Sequence, residues 1–135
     1  MEGGCFCGKV RYSVSGDPVA KALCHCLDCR KITGSTYSTN AIFPKDGFKL
    51  VSGTPKQHAV KADSGNTITS HFCGDCGSTM WRDGNAFPGM MVFKVGTFDD
   101  VNAFDKFKPG AELFAPERVS WVPEMEGAAQ KKAMS

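Results

Sequence analysis

Seven cysteines in three short clusters are the residues of this chain best suited to chemistry. They are Cys5 and Cys7, then Cys24, Cys26 and Cys29, and finally Cys73 and Cys76. An odd number excludes a framework in which every cysteine is paired in a disulfide. Cysteines separated by one or two residues are instead typical of thiolates that bind a metal ion. The spacing therefore predicts metal sites, with zinc as the metal.

The first predicted site combines the outer two clusters. Cys73 and Cys76 lie in a glycine-rich turn with the spacing of a zinc knuckle, which supplies two of four tetrahedral ligands. Cys5 and Cys7, also flanked by glycines, supply the other two. Such a closed site would contribute on the order of 10 kcal/mol or more to folding. The alternative is that these thiols are free and pack as small apolar groups.

The middle cluster holds three cysteines, which predicts a zinc ion with an open fourth position. Three protein ligands and a vacancy are typical of catalytic zinc, whereas structural zinc has four. Three thiolates make the ion a weak Lewis acid, which disfavours hydrolysis and favours capture of a substrate thiol. The sulfur of that thiol would remain able to attack a small carbonyl compound, and the reverse reaction breaks a carbon–sulfur bond. In the alternative, a second structural site, the fourth ligand is His25, His58, His71 or Asp28.

Short strands joined by turns must position these cysteines, because glycine and proline interrupt the chain too often for long helices. The predicted strands are residues 9–14, 19–23, 37–43, 48–52, 56–62, 67–72, 78–82 and 90–95. A short helix is predicted over residues 29–33, with Asp28 as its N-cap and Gly34 closing it, and a further helical turn within residues 99–107. The fold class is therefore mainly β. We expect one domain over residues 1–123 and a flexible tail over residues 124–135.

Composition and charge limit the partners of the chain. The formal net charge is +2 and no block of basic residues is present, so no nucleic-acid partner is expected. No apolar run is long enough for a membrane helix, so no membrane partner is expected. The first residues lack the features of a secretory signal, and we expect a cytoplasmic location, where thiols stay reduced. The oligomeric state stays open, a homo-oligomer included.

A few other side chains are weaker candidates for the site. Arg30 and Lys31 follow the middle cluster and are candidates to pair with substrate carboxylates, although a solvated helix face explains them equally well. Asn40, Tyr37 and Phe43 are candidates to line a pocket, although core packing explains the two aromatic residues more simply. Phe114 and Trp121 are candidates for a lid, or they only bury apolar area.

Four segments extend the pattern beyond the cysteines: residues 4–12, 24–34, 72–78 and 95–100. In order and spacing they resemble the glutathione-dependent formaldehyde-activating family, which also includes centromere-protein-V-like proteins. The resemblance implies a β-tent fold of small antiparallel sheets that holds two zinc ions. It implies Cys5, Cys7, Cys73 and Cys76 as ligands of the structural zinc, and Cys24, Cys26 and Cys29 as ligands of the catalytic zinc.

The reaction implied by the resemblance is the condensation of formaldehyde with glutathione to S-(hydroxymethyl)glutathione, which is classed with the carbon–sulfur lyases. Glutathione would then be a co-substrate, and the partners would be a small thiol and a small carbonyl compound. Two other functions stay open. One is a non-catalytic, zinc-stabilised binding module with a filled fourth position, and the other is carbon–sulfur chemistry on a different thiol adduct.

Overall fold

The computed structural model describes residues 1–62 and 64–134, and over these residues it contains eleven strands and two α-helices. The strands are β1 (Glu2–Gly4), β2 (Arg11–Val14), β3 (Ala20–Cys24), β4 (Ser38–Pro44), β5 (Phe48–Ser52), β6 (Lys56–Lys61), β7 (Thr67–Phe72), β8 (Thr79–Asp83), β9 (Met90–Lys94), β10 (Ala111–Leu113) and β11 (Ala129–Gln130). The predicted mainly β class is confirmed. The eight predicted strands correspond to β2–β9, each bound agreeing within two residues, whereas β1, β10 and β11 were not predicted.

Two sheets organise the chain. The smaller has the order β1-β2-β5, and the larger has the order β11-β10-β3-β4-β9-β8-β7-β6. Most neighbours are antiparallel, as expected, but β10 is parallel to both β3 and β11. Parallel neighbours require a crossover connection instead of a hairpin. The chain meets this requirement because β10 follows β3 by more than eighty residues along the sequence.

Alternation along the central strands separates an aromatic core from a polar face. Phe43 of β4 and Phe93 of β9 are 1% and 0% exposed. The ring centroid of Phe93 lies 5.7 Å from that of Phe43 and 5.1 Å from that of Tyr12 in β2. Asn40 and Lys94 are direct partners in the same two strands. Because successive side chains of a strand point to opposite faces, Asn40 and Lys94 project away from the aromatic core.

The longer helix, α1 (Leu27–Thr33), begins earlier than predicted and has a different N-cap. Cys26 is the N-cap, since its Sγ accepts a hydrogen bond from the N–H of Cys29 at 3.3 Å, and Asp28 already lies inside the first turn. Gly34 closes the helix with φ +61°, as predicted. The second helix, α2 (Ala103–Lys106), lies within the predicted helical turn. Over the described residues, neither helix has the length and apolar character needed to cross a membrane.

The C-terminal segment, predicted to be a flexible tail, runs alongside β10. Ala129–Gln130 forms β11, and the Nε2 of Gln130 donates a hydrogen bond to Oε2 of the buried Glu112 at 2.6 Å. The N–H of Met125 donates to the same oxygen at 2.9 Å. The mobility of this segment stays a prediction, and its contacts with Glu112 are a feature that composition did not indicate.

Candidate functional site

The first and third cysteine clusters meet in space. The sulfur atoms of Cys5, Cys7, Cys73 and Cys76 all lie within 4.8 Å of one another. The Sγ of Cys7 is 3.6 Å from that of Cys5 and 3.7 Å from that of Cys73. Four sulfurs at zinc–sulfur distances of about 2.3 Å are about 3.8 Å apart in a tetrahedron. This donor set therefore fits a zinc ion.

Hydrogen bonds to Cys5 and Cys76 of this four-cysteine group favour the thiolate, the form that binds metal. The N–H of Val10 donates to the Sγ of Cys5 at 3.3 Å. Hydrogen bonds from the hydroxyl and the N–H of Ser78 lower the pKa of Cys76 to about 5. The turn that follows needs the left-handed backbone of Gly77, at φ +79°.

The middle cluster forms a separate group of three sulfur atoms. Cys24 ends β3, Cys26 caps α1 and Cys29 lies in the first turn of α1, so one strand-to-helix turn brings them together. The Sγ of Cys24 is 3.3 Å from that of Cys26, and all three sulfurs lie within 4.8 Å of one another. Within residues 1–62 and 64–134, no histidine or acidic side chain joins this group. The donor set fits zinc with three protein ligands.

The four side chains considered as a fourth ligand lie outside the three-cysteine group. The Nε2 of His25 lies 2.7 Å from Oε1 of Glu112, and both side chains are fully buried. The Nε2 of His71 likewise lies 2.7 Å from Oδ1 of Asp83 in β8. His58 and Asp28 are exposed. The structure therefore offers no support for a closed second site among the described residues.

A cavity of about 620 Å³ lies against the three-cysteine group, and all three cysteines line it. Most of the remaining wall is apolar, with Ile42, Ile68, Phe87, Val92 and Phe114 among the lining side chains. The cavity occupies the face of the larger sheet that points away from the aromatic core. A mainly apolar pocket with a few polar groups is the usual form of a small-molecule site.

Buried polar side chains form one part of the cavity wall. Lys94 and Arg82 are 8% and 7% exposed. The Nζ of Lys94 donates to Oδ1 of Asn40 at 2.7 Å, and Asn40 is held in turn by its Nδ2, which donates to Oγ of Ser38 at 2.9 Å. The Nε of Arg82 donates to Oγ of Ser70 at 3.0 Å. These hydrogen bonds fix both cationic side chains in the wall.

The charges of this wall and of the cysteines act on each other. Hydrogen bonds from Cys24 and Cys26 lower the pKa of Cys29, and the positive charge of Lys94 acts in the same direction. Burial lowers the pKa of Lys94, and the negative charge of Cys29 opposes this shift. The pKa values of the cysteine group and of Lys94 therefore depend on each other.

The weaker sequence candidates have different outcomes. Asn40 lines the cavity, as predicted, whereas Tyr37 does not and Phe43 packs in the aromatic core. Phe114 also lines the cavity, and its role as a lid stays a prediction. Trp121 is 74% exposed and is not part of the lining. Arg30 and Lys31 do not line the cavity either.

Lys94 and Arg82 were missed in the sequence analysis. Lys94 ends the otherwise apolar strand β9, and Arg82 precedes the terminal Asp83 of β8, positions where a cationic residue is most often exposed. Alternation alone puts Lys94 on the same face as Val92, two residues earlier. It does not indicate that this face lines a cavity shared with the cysteines.

Known proteins match the chain in sequence and in fold. The sequence model of the family described as "Glutathione-dependent formaldehyde-activating enzyme" matches residues 1–117. A curated protein of Halomonas elongata, provisionally named as such an enzyme, is 34% identical over 87 residues, which are 60% of this chain and 54% of that protein. The match thus spans about half the length of that relative. A crystal structure of a Rhodobacter sphaeroides protein shares the fold with a TM-score of 0.63 and 22% identity, over 81% of this chain and 97% of that one.

Proposed function

The chain belongs to the glutathione-dependent formaldehyde-activating family, and from this premise we propose that it is a zinc-dependent carbon–sulfur lyase. It adds a small thiol, with glutathione as the leading candidate, to a small carbonyl compound such as formaldehyde, or releases the thiol from that adduct. We propose two zinc ions per chain. The proposed ligands are Cys5, Cys7, Cys73 and Cys76 for the structural ion, and Cys24, Cys26 and Cys29 for the catalytic ion. The cytoplasm, where thiols stay reduced, is the proposed location.

One observation carries the proposal: the three-cysteine group lines a cavity large enough for a small substrate. A structural site is closed by four protein ligands, as the four-cysteine group is, whereas a catalytic site leaves one position to water or substrate. All three cysteines belong to the cavity wall, so a ligand in the cavity is next to the group. This arrangement is typical of a centre that exchanges a ligand.

The residues of the chain divide the work of such a reaction. When bound by the three cysteines, zinc supplies a soft site that stabilises the thiolate form of an incoming thiol. The apolar side chains of the cavity exclude bulk water, which strengthens electrostatic interactions inside it. Asn40 orients Lys94 through the hydrogen bond at 2.7 Å, so a cationic group is held in the same cavity.

The test compares the zinc-loaded protein with its Cys26→Ser variant. Nuclear magnetic resonance exchange measurements give the rate at which glutathione and formaldehyde equilibrate with their adduct, and the wild-type protein should accelerate this exchange. Cys26→Ser should remove the acceleration while the four-cysteine group keeps its zinc. Lys31→Ala, on the same helix but outside the cavity lining, is the matched control and should behave like the wild type.

X-ray absorption at the zinc edge supplies a second readout. The average number of sulfur ligands per zinc should rise when glutathione is added, because the three-cysteine centre gains a fourth sulfur. If thiol changes neither the sulfur number nor the exchange rate, the chain is a zinc-stabilised binding module and the proposal is wrong. Acceleration with another thiol, but not with glutathione, keeps the reaction class and changes the substrate.

A further inference from the structure

We propose that Lys94 and Arg82, together the cationic pair, offset the negative charge that the three-cysteine centre gains when it takes up a thiol. The pair thereby sets the affinity of the centre for thiols. This inference rests on the proposed function for the identity of the ligand, a thiol, and concerns binding and not turnover.

The cationic pair is buried in the wall of the cavity. Both side chains are more than nine-tenths buried, and among the described residues neither lies within 4.0 Å of a carboxylate oxygen. A buried charge without a counter-charge is costly, because it loses the solvation by water. Elsewhere the fold follows this rule, since the fully buried Glu112 contacts Arg118 at 3.2 Å. Because no described carboxylate contacts the pair, we expect its counter-charge in the cavity that both side chains line.

The cationic pair has hydrogen-bond donors that no described residue occupies. Lys94 and Arg82 line the same cavity as the three cysteines. The Nζ of Lys94 has three N–H bonds, and within the described part of the chain Asn40 is its one hydrogen-bond acceptor. Arg82 uses Nε for Ser70, and over residues 1–62 and 64–134 its two Nη atoms have no acceptor. Donors therefore remain available toward the cavity.

The charges of the three-cysteine centre and of the cationic pair have opposite signs. A 2+ ion with three thiolates carries a net charge of −1, and a fourth thiolate makes it −2. The cationic pair carries +2, so the buried charges of the cavity balance only after a thiol has been taken up. The other charged side chains of the lining, Asp28, Lys61 and Glu117, are exposed, and water screens their charges. The four-cysteine centre reaches the same −2 but differs in its surroundings, since Cys7 is exposed and water screens its charge. Only the centre inside the cavity needs buried cations.

The test measures thiol binding to protein loaded with Co²⁺ in place of zinc, because bound thiolates give cobalt an absorption band that can be titrated. The probe is 2-mercaptoethanol, which carries no charge besides its thiolate. Lys94→Met keeps the length of the side chain and removes the charge, and it should weaken binding about tenfold or more, which is about 1.4 kcal/mol. Lys94→Arg should retain most of the affinity. The control is Lys49→Met, the same change on an exposed residue of β5, and it should stay within about twofold of the wild type.

Folding is monitored by circular dichroism and by a cobalt content of two ions per chain. If Lys94→Met loses the fold, Lys94→Gln is compared with Lys94→Arg in the same titration. Equal thiol affinity of the uncharged and charged variants overturns the inference, as does a wild-type protein that binds no thiol. Wild-type protein that binds thiol in a Lys94-dependent manner without accelerating the exchange with formaldehyde supports the inference and contradicts the proposed function. If the wild-type protein accelerates the exchange with formaldehyde but Lys94→Met binds thiol with unchanged affinity, the proposed function is supported and the inference is contradicted.

Discussion

Replacing Glu112 by glutamine should destabilise the protein, because this fully buried carboxylate joins the cysteine turn to the C-terminal segment. Its Oε1 lies 2.7 Å from Nε2 of His25, the residue between two cysteines of the cavity. Its Oε2 accepts hydrogen bonds from Gln130 at 2.6 Å, from the N–H of Met125 at 2.9 Å and from Arg118 at 3.2 Å. A glutamine side chain has one acceptor oxygen, so its amide nitrogen would face one of these donors.

The magnitude follows from the pKa of Glu112. Burial raises this pKa, but the hydrogen bonds from Gln130, Met125 and His25, with the charge of Arg118, outweigh burial and lower it from 4.5 to about 2. Each pKa unit corresponds to about 1.4 kcal/mol, so the ionised carboxylate stabilises the folded state by about 3 kcal/mol at neutral pH. Because the folded-state pKa is lowered, this stability is complete above about pH 4.5 and is lost as the pH falls toward about 2.

Urea unfolding of the zinc-loaded protein, followed by tryptophan fluorescence at neutral pH, measures the effect. Glu112→Gln should lower the free energy of unfolding by about 2–4 kcal/mol. Glu126→Gln changes an exposed carboxylate of the same segment and should stay within about 0.5 kcal/mol of the wild type. A Glu112→Gln variant as stable as this control would refute the argument that the carboxylate holds these elements together.

Three further changes test the two centres and the core. Cys26→Ser should abolish the proposed activity, measured by the exchange assay, and spare most of the fold, whereas Cys76→Ser should unfold the protein. Circular dichroism measures the folding of both variants, and equal unfolding would contradict the division between the centres. Gly53→Ala should lower the melting temperature, because Gly53 has φ +79° and an added Cβ would lie 2.3 Å from the carbonyl oxygen of Lys9; an unchanged melting temperature would show that the turn can relax. Phe93→Ala should cost about 3–5 kcal/mol in urea unfolding, since its ring is fully buried, and a loss below 1 kcal/mol would be inconsistent with that packing.

Much of the β structure was predictable because it is encoded locally. Alternating or apolar runs between turn residues located β2–β9 to within two residues, since each strand needs only its own period of two and its flanking turns. The exceptions are short. β10 has three residues and lies between β3 and β11, in pairings that depend on distant parts of the chain. No local pattern carries that information.

The two cysteine groups were also predictable, because ligand chemistry limits which side chains bind a soft metal and their spacing limits how they do so. Their surroundings were not. Lys94 and Arg82 come from β9 and β8, and they share a cavity with Cys24 of β3 because the pairing of strands puts alternate residues of each on one face. Composition and spacing thus specify which atoms are able to bind a metal ion. The environment of those atoms depends on strand order and register, which form only when segments far apart in the chain pack together.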